Sequence, residues 1–117
     1  MYTEDEIAMT LPEYSLRCLG QVGLSIRKVA YRLNISNTYI SAILCGKRIG
    51  KSDEFNHTVD LVIKEIGADR VLFYSKMKRI PPEIYNWMIN DFKILNYLDL
   101  CLKTDTKPYD LMDKVVI

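Results

Sequence analysis

Residues 29–44, VAYRLNISNTYISAIL, carry an apolar seam at helical spacing that breaks at NISN and resumes with small polar residues set among the apolar ones. A single packed helix has no use for such a break. Asn34 stands where the first helical stretch must stop. Among residues with a side chain, asparagine enters the left-handed region most cheaply, so it can end a helix and redirect the chain within a few residues. Ile35 then turns an apolar side chain back into the junction. Ser36 is placed to cap a new helix, NTYISAIL, in which Ile40 and Ile43 lie three apart with Leu44 beside them, and Cys45 and Gly46 end it. Upstream, Ser25 caps SIRKVAYRL, where Ile26, Val29, Ala30 and Leu33 recur at i, i+3, i+4 and i+7. Two short helices with their apolar faces turned together leave the outer N-terminal face of the second one bare. That face holds Asn37, Thr38, Ser41 and Ala42, small uncharged groups that can approach base edges without bringing a carboxylate near phosphate.

Charge is distributed to match. The net charge of the 117 residues is only +1. Between Tyr14 and Ser52, however, there is no Asp or Glu, while Arg17, Arg27, Lys28, Arg32, Lys47, Arg48 and Lys51 make that segment +7. The first 13 residues carry −4 and residues 53–117 carry −2. A near-neutral average therefore conceals one basic block, the electrostatic footprint of a surface that meets phosphate; a solvated basic face is the alternative that charge alone leaves open.

The length suits one domain with a single core, and 49% hydrophobic with 26% charged residues is ordinary for a globular chain. No apolar run approaches the roughly 18 residues of a membrane span, and the acidic start MYTEDE lacks the basic region of a signal peptide, so a cytoplasmic protein that makes no membrane contact is expected. Cys18, Cys45 and Cys101 are far apart, with no C-x-x-C pair, and read as small hydrophobes rather than as a metal or redox centre.

Helical signals continue on both sides of the central pair. Thr10-Leu-Pro-Glu13 has the form of a capping box with proline in the first turn, and opens a helix to about Gly20 with Leu16 and Leu19 on its inner side. Ser52 or Asp53 caps a helix with Phe55, Val59, Val62 and Ile66 inside and Gly67 as its stop. ADRVLFYSKMKR reads as a further helix closing the bundle with Val71, Leu72 and Met77. Pro81-Pro82 starts another, with Ile84, Trp87 and Met88 on one side, and Phe92 to Lys103 forms the last, carrying Ile94, Leu95, Leu98, Cys101 and Leu102. That last stripe is wide enough either to fold back on its own chain or to pair with a second subunit. The tail TDTKPYDLMDKVVI is either loose or adds its VVI to a partner.

Residues 24–48, LSIRKVAYRLNISNTYISAILCGKR, resemble the helix-turn-helix of the Cro/C1 repressor type, the XRE family of transcriptional regulators. With Ile26 as the first of the motif's twenty positions, Ala30 takes the fifth, where a small residue lets the helices cross closely. Asn34 takes the ninth, usually glycine, and Ile40 and Ile43 take the buried fifteenth and eighteenth. The LS before the motif and the GKR after it also match, and KRIPPEIYNWMIND is similar to an extension found in some of these regulators. The resemblance implies an all-α, lambda-repressor-like five-helix bundle over residues 1–78, with a helical extension over 79–117 that can either dimerise or fold back. It implies a sequence-specific reader of double-stranded DNA, acting as a repressor and as a homodimer, with the helix at about 36–44 in the major groove. Ser36 heads that helix, Asn37 and Thr38 are the first to touch bases, and Ser41 and Ala42 lie behind them. Arg27, Tyr39, Lys47, Arg48 and Lys51 hold the phosphates.

Nothing in the chain favours catalysis or a bound cofactor or metal. His57 is the only histidine, the serines are accounted for as caps and contacts, and no glycine-rich nucleotide loop is present. A second class remains open: an interaction protein such as an antitoxin or phage-encoded inhibitor, whose C-terminal helices bind a protein and whose helix-turn-helix is autoregulatory.

Overall fold

A computed structural model describes residues 1–48, 50 and 52–108. These form eight helices and, among the described residues, no strand: α1 (Glu4–Ala8), α2 (Leu11–Val22), α3 (Ile26–Leu33), α4 (Asn37–Leu44), α5 (Asp53–Ile66), α6 (Arg70–Lys76), α7 (Pro82–Ile89) and α8 (Phe92–Lys103). The protein is all-α. None of these helices is long and apolar enough to cross a membrane. The chain divides into two compact units, Met1–Arg79 and Ile80–Ile117.

Local hydrogen-bonding chemistry sets most of the boundaries in the first unit. Serine side chains accept a backbone N–H at three helix starts: Ser25 from Lys28, Ser36 from Tyr39 and Ser52 from Phe55. Thr10 and Glu13 form a reciprocal capping box at α2, and the two bonds from Thr10 hold the Glu13 carboxyl below its usual range. Three helices end in one way. Gly23 (φ 70), Asn34 (φ 55) and Gly67 (φ 68) take the left-handed conformation. The next residue then returns its N–H to a carbonyl five residues back, Leu24 to Leu19, Ile35 to Ala30 and Ala68 to Ile63, each at 3.0 Å. Leu24, Ile35 and Ala68 all pack against the core, so each stop also directs an apolar side chain inward.

That core joins Leu11, Tyr14, Cys18 and Leu19 of α2, Val29 and Ala30 of α3, and Ile40, Ile43 and Leu44 of α4 to the inner faces of α5 and α6. Val29, Ile40, Ile43, Val59, Val62, Ile66, Phe73 and Tyr74 have no accessible surface. The Ser15 and Tyr74 hydroxyls within it are paired, whereas the buried Asn56 Oδ1 has no hydrogen-bond partner among the described residues. The buried Ser15 hydroxyl donates to the Leu44 carbonyl at 3.4 Å, tying α2 to the end of α4. The Tyr74 hydroxyl donates to Asp60 at 3.0 Å, and Asp60 also receives the Arg70 guanidinium at 2.9 Å; burial first, and then the Asp60 charge, pushes Tyr74 up to about 12.

Several expectations need correction. Leu16 lies on the outer side of α2 and is exposed, because a twelve-residue helix on a small core buries only the stripe through Leu11, Tyr14, Ser15, Cys18 and Leu19. Helix α6 starts at Arg70, capped by Asp69, which turns Leu72 and Phe73 inward and leaves Val71 exposed. A helix not read from the sequence precedes Thr10: Thr3 and Glu6 form a capping box at the start of α1. In the second unit Trp87 does not share the half-buried side of Ile84 and Met88, and Leu95 and Leu102 are exposed where Cys101 is buried. The expectations for the tail beyond Pro108, including VVI, lie outside the described residues.

Candidate nucleic-acid interface

Packing and capping together decide which side of α4 is left for a ligand. Ile40, Ile43 and Leu44 are buried, with Ala30 (4% exposed) at the crossing of α3 and α4. The first turn of α4 projects outward. Asn37 and Thr38 are exposed, whereas Ser41 and Ala42, one turn further on, are half-buried. Ser36 is at the same end, but its hydroxyl accepts the Tyr39 N–H at 3.1 Å, so the cap holds one of the lone pairs a ligand would otherwise use. The helix thus presents two free polar side chains and, behind them, a hydroxyl and a methyl with less reach.

Cations flank this edge from two directions. Arg27, in the first turn of α3, is exposed and lines an open groove of about 500 Å³ together with Asn37 and Ser41; Leu16, Leu19, Leu24 and Ile26 form its apolar side. On the other side, the chain leaving α4 bends through Gly46 (φ 72). The N–H groups of Lys47 and Arg48 then both donate to the Ala42 carbonyl, at 2.9 and 3.1 Å. Those two bonds occupy an otherwise orphaned helix-end carbonyl and fix where the two side chains begin. The Arg48 guanidinium lies over the Tyr39 ring, 5.2 Å from its centroid, so the half-buried tyrosine and the exposed arginine act as one unit. Lys51 lies outside the described residues.

No family model, curated protein or solved structure matches the chain. The site therefore stands on its own chemistry.

Of the ten residues that the sequence singles out, the structure brings Arg27, Asn37 and Ser41 to one groove, and gathers Tyr39, Ala42, Lys47 and Arg48 around the end of α4. Thr38 is exposed between these groups, and Ser36 serves as the cap. Arg32, although in the basic block, is paired with Glu65 at 2.5 Å and contributes little net charge to this side. Sequence reasoning missed Arg79. Its guanidinium donates to the Gly50 carbonyl at 2.6 Å and so anchors the segment that follows Lys47 and Arg48. Gly50 itself lies against the Phe55 ring so closely that an added Cβ would come within 2.9 Å of it. The glycine between two cationic positions was the available signal, since a loop that must touch the core has no room for a side chain there. Lys28, over the Tyr31 ring at 5.5 Å, is a further exposed cation on α3.

His57 is exposed on α5, and among the described residues no cluster of three metal-ligating side chains occurs. Cys18 is buried, and burial pushes its thiol up, away from the reactive thiolate.

Proposed function

We propose that the protein is a sequence-specific reader of double-stranded DNA that represses transcription by occupying its site, with α4 inserted in the major groove. One observation carries this reading. The first turn of α4 is bare and uncharged, its opposite side is wholly buried, and Arg27, Lys47 and Arg48 border it in a segment with no carboxylate from residue 14 to 52. A side chain that reads bases must reach a groove edge while its backbone stays rigid, and the buried Ile40 and Ile43 supply the rigidity. Asn37 has the donor and acceptor for a bidentate contact to adenine, and Thr38 and Ala42 have methyl groups suited to thymine. Arg27, Lys47 and Arg48 supply phosphate contacts that set register and most of the affinity without selecting sequence. The lambda-repressor-like arrangement suggested by LSIRKVAYRLNISNTYISAILCGKR is consistent with this placement.

A salt titration on two duplexes, one random and one obtained by selection from a pool of fragments, tests the reading. With six or more phosphates neutralised, affinity should fall by several decades between roughly 50 and 200 mM salt. Lys47→Ala with Arg48→Ala should lower the slope of log affinity against log salt by about 1.8 on both duplexes. Asn37→Ala should weaken only the selected one. Salt-independent binding, or equal losses on both duplexes from all three substitutions, contradicts the proposal.

A further inference from the structure

Arg79 is the last residue of the first unit, and its side chain reaches back to the loop that carries Lys47 and Arg48. The guanidinium donates to the Gly50 carbonyl at 2.6 Å, across 29 positions of sequence. Both ends of that bond are fixed. Lys78 takes the left-handed conformation (φ 62), and the Arg79 N–H returns to the carbonyl of Tyr74, a residue with no accessible surface, at 3.0 Å. At the other end Gly50 lies against the ring of the buried Phe55, whose N–H the Ser52 cap receives.

Closing the loop does not call for an arginine here. The Gly46 N–H already returns to the Ile43 carbonyl, those of Lys47 and Arg48 return to Ala42, and Ser52 caps α5. Gly50 is only half-buried, and a main-chain acceptor at the surface is satisfied by water. Ordering an arginine side chain for the same task costs rotamer entropy, so the gain lies in where the loop is held. A charged donor makes a bond roughly twice as strong as a neutral one, and among the described residues no carboxylate pairs with Arg79 to weaken it. Two residues of chain span at most about 7 Å, so Gly50 cannot shift without carrying Arg48 along. Lys47 and Arg48 are exposed, and the loop has no other support between them and Gly50 among the described residues.

We infer that Arg79 is a positioning residue for the phosphate contacts: by holding the Gly50 carbonyl it fixes the segment from which Lys47 and Arg48 reach the DNA backbone, without touching DNA itself. The inference rests on the reading of the protein as a DNA binder. It makes the end of α6, far from the bases, a determinant of affinity and not of sequence preference.

Equilibrium binding of the full chain to the random and the selected duplex, each titrated with salt, tests it. One phosphate contact is about 0.9 of slope, which at 0.1 M salt is roughly eightfold in affinity. Arg79→Met keeps the side-chain stem and removes its donors. It should weaken binding to both duplexes between about eightfold and sixtyfold at 0.1 M salt, lower the slope by up to about 1.8 and leave the ratio of the two affinities unchanged, with helicity by circular dichroism retained. Arg79→Lys, which keeps the charge on a single head, should fall between Arg79→Met and the wild type. The deciding arm combines Arg79→Met with Lys47→Ala and Arg48→Ala. A residue that acts through those two cations then has nothing left to position, so it should add less than about twofold. A full further loss in that background means that Arg79 meets phosphate itself and overturns the inference, as does a folded Arg79→Met chain that binds like the wild type. If Arg79→Met costs helicity, Gly50→Ala displaces the same carbonyl from the Phe55 side without altering a charge, and should reproduce the loss of affinity and slope; unchanged binding overturns the inference there too. Wild-type binding that ignores salt sinks the proposed function and this inference with it, whereas failed Arg79 and Gly50 arms against a steep wild-type slope sink the inference alone.

Discussion

Helices α4 and α8 are both short, capped and amphipathic, yet they meet solvent with opposite chemistry. On α4 Ile40, Ile43 and Leu44 are enclosed and the exposed residues are Asn37 and Thr38; on α8 Phe92, Leu95, Leu100 and Leu102 are exposed alongside its polar residues. The difference follows from what each helix has to lean on. Helix α4 is braced by α2, α3 and the Ser15 hydroxyl, so its apolar stripe is used up internally and its outer face can be polar. Among the described residues of its unit α8 packs against α7, and a single neighbour covers one side of a wide stripe. A face emptied of apolar groups suits a hydrated, charged surface. One rich in them suits another apolar face.

The sharpest way to break this comparison is to truncate an aliphatic residue on each helix. Ile40→Ala should cost about 2–5 kcal/mol in urea unfolding, because it opens a cavity at a site without accessible surface. Leu102→Ala, measured as monomer at low concentration, should change stability by no more than about 0.5 kcal/mol. Equal costs would mean that α8 is packed like α4. Next in size, Asn37→Ala should reduce discrimination at one base pair by about 1–3 kcal/mol in competition binding while leaving the thermal midpoint in place; any exposed polar residue of α8, such as Asn96, should show no such effect.

Asn34 sharpens the contrast further, since it fixes the angle at which α4 leaves α3. At φ 55 and ψ 44, alanine is strained by roughly 1–2 kcal/mol and glycine is not, so Asn34→Ala should lower the midpoint of thermal unfolding and Asn34→Gly should nearly preserve it. The smallest effect is expected at the N-terminal edge. Tyr2 donates to Asp69 at 2.6 Å, which holds the aspartate carboxyl below its ordinary range and lifts the phenol to about 12. The folded carboxyl has the lower pKa, so the bond's contribution is complete above the ordinary aspartate value of about 3.9 and is lost as pH falls through the folded value. Tyr2→Phe should therefore cost at most about 1 kcal/mol at neutral pH and flatten the acid limb of the stability curve.

What the sequence made legible was whatever is decided within a few residues. Thr10, Ser25, Ser36, Asn34 and Gly67 each announce a helix end, because a cap is satisfied by a backbone group three to five positions away. Which apolar residue of a pair goes inside is a different question. Leu16 and Leu19 share one spacing but not one neighbourhood, and with the start of α6 read two residues early Val71 took the inner place that belongs to Phe73, although Leu72 and Met77 are buried as expected. For the site, the bare turn of α4 and its bordering cations could be read from spacing and charge. The loss of Arg32 to Glu65, and the hold of Arg79 on Gly50, are partnerships across long stretches of chain that no local pattern encodes.

Helix α1 buries no residue and is fastened by groups that come late in the chain: Asp69 on the Tyr2 hydroxyl, and the Lys76 ammonium on the carbonyls of Glu6 at 2.5 Å and Met9 at 2.6 Å. A nascent chain emerging amino end first cannot close this clasp until α6 exists, so α1 is made well before the groups that hold it. It can also come undone alone. Amide hydrogens of residues 4–8 should exchange through local opening, orders of magnitude faster than those of α4 and α5, which must wait for the whole bundle to unfold.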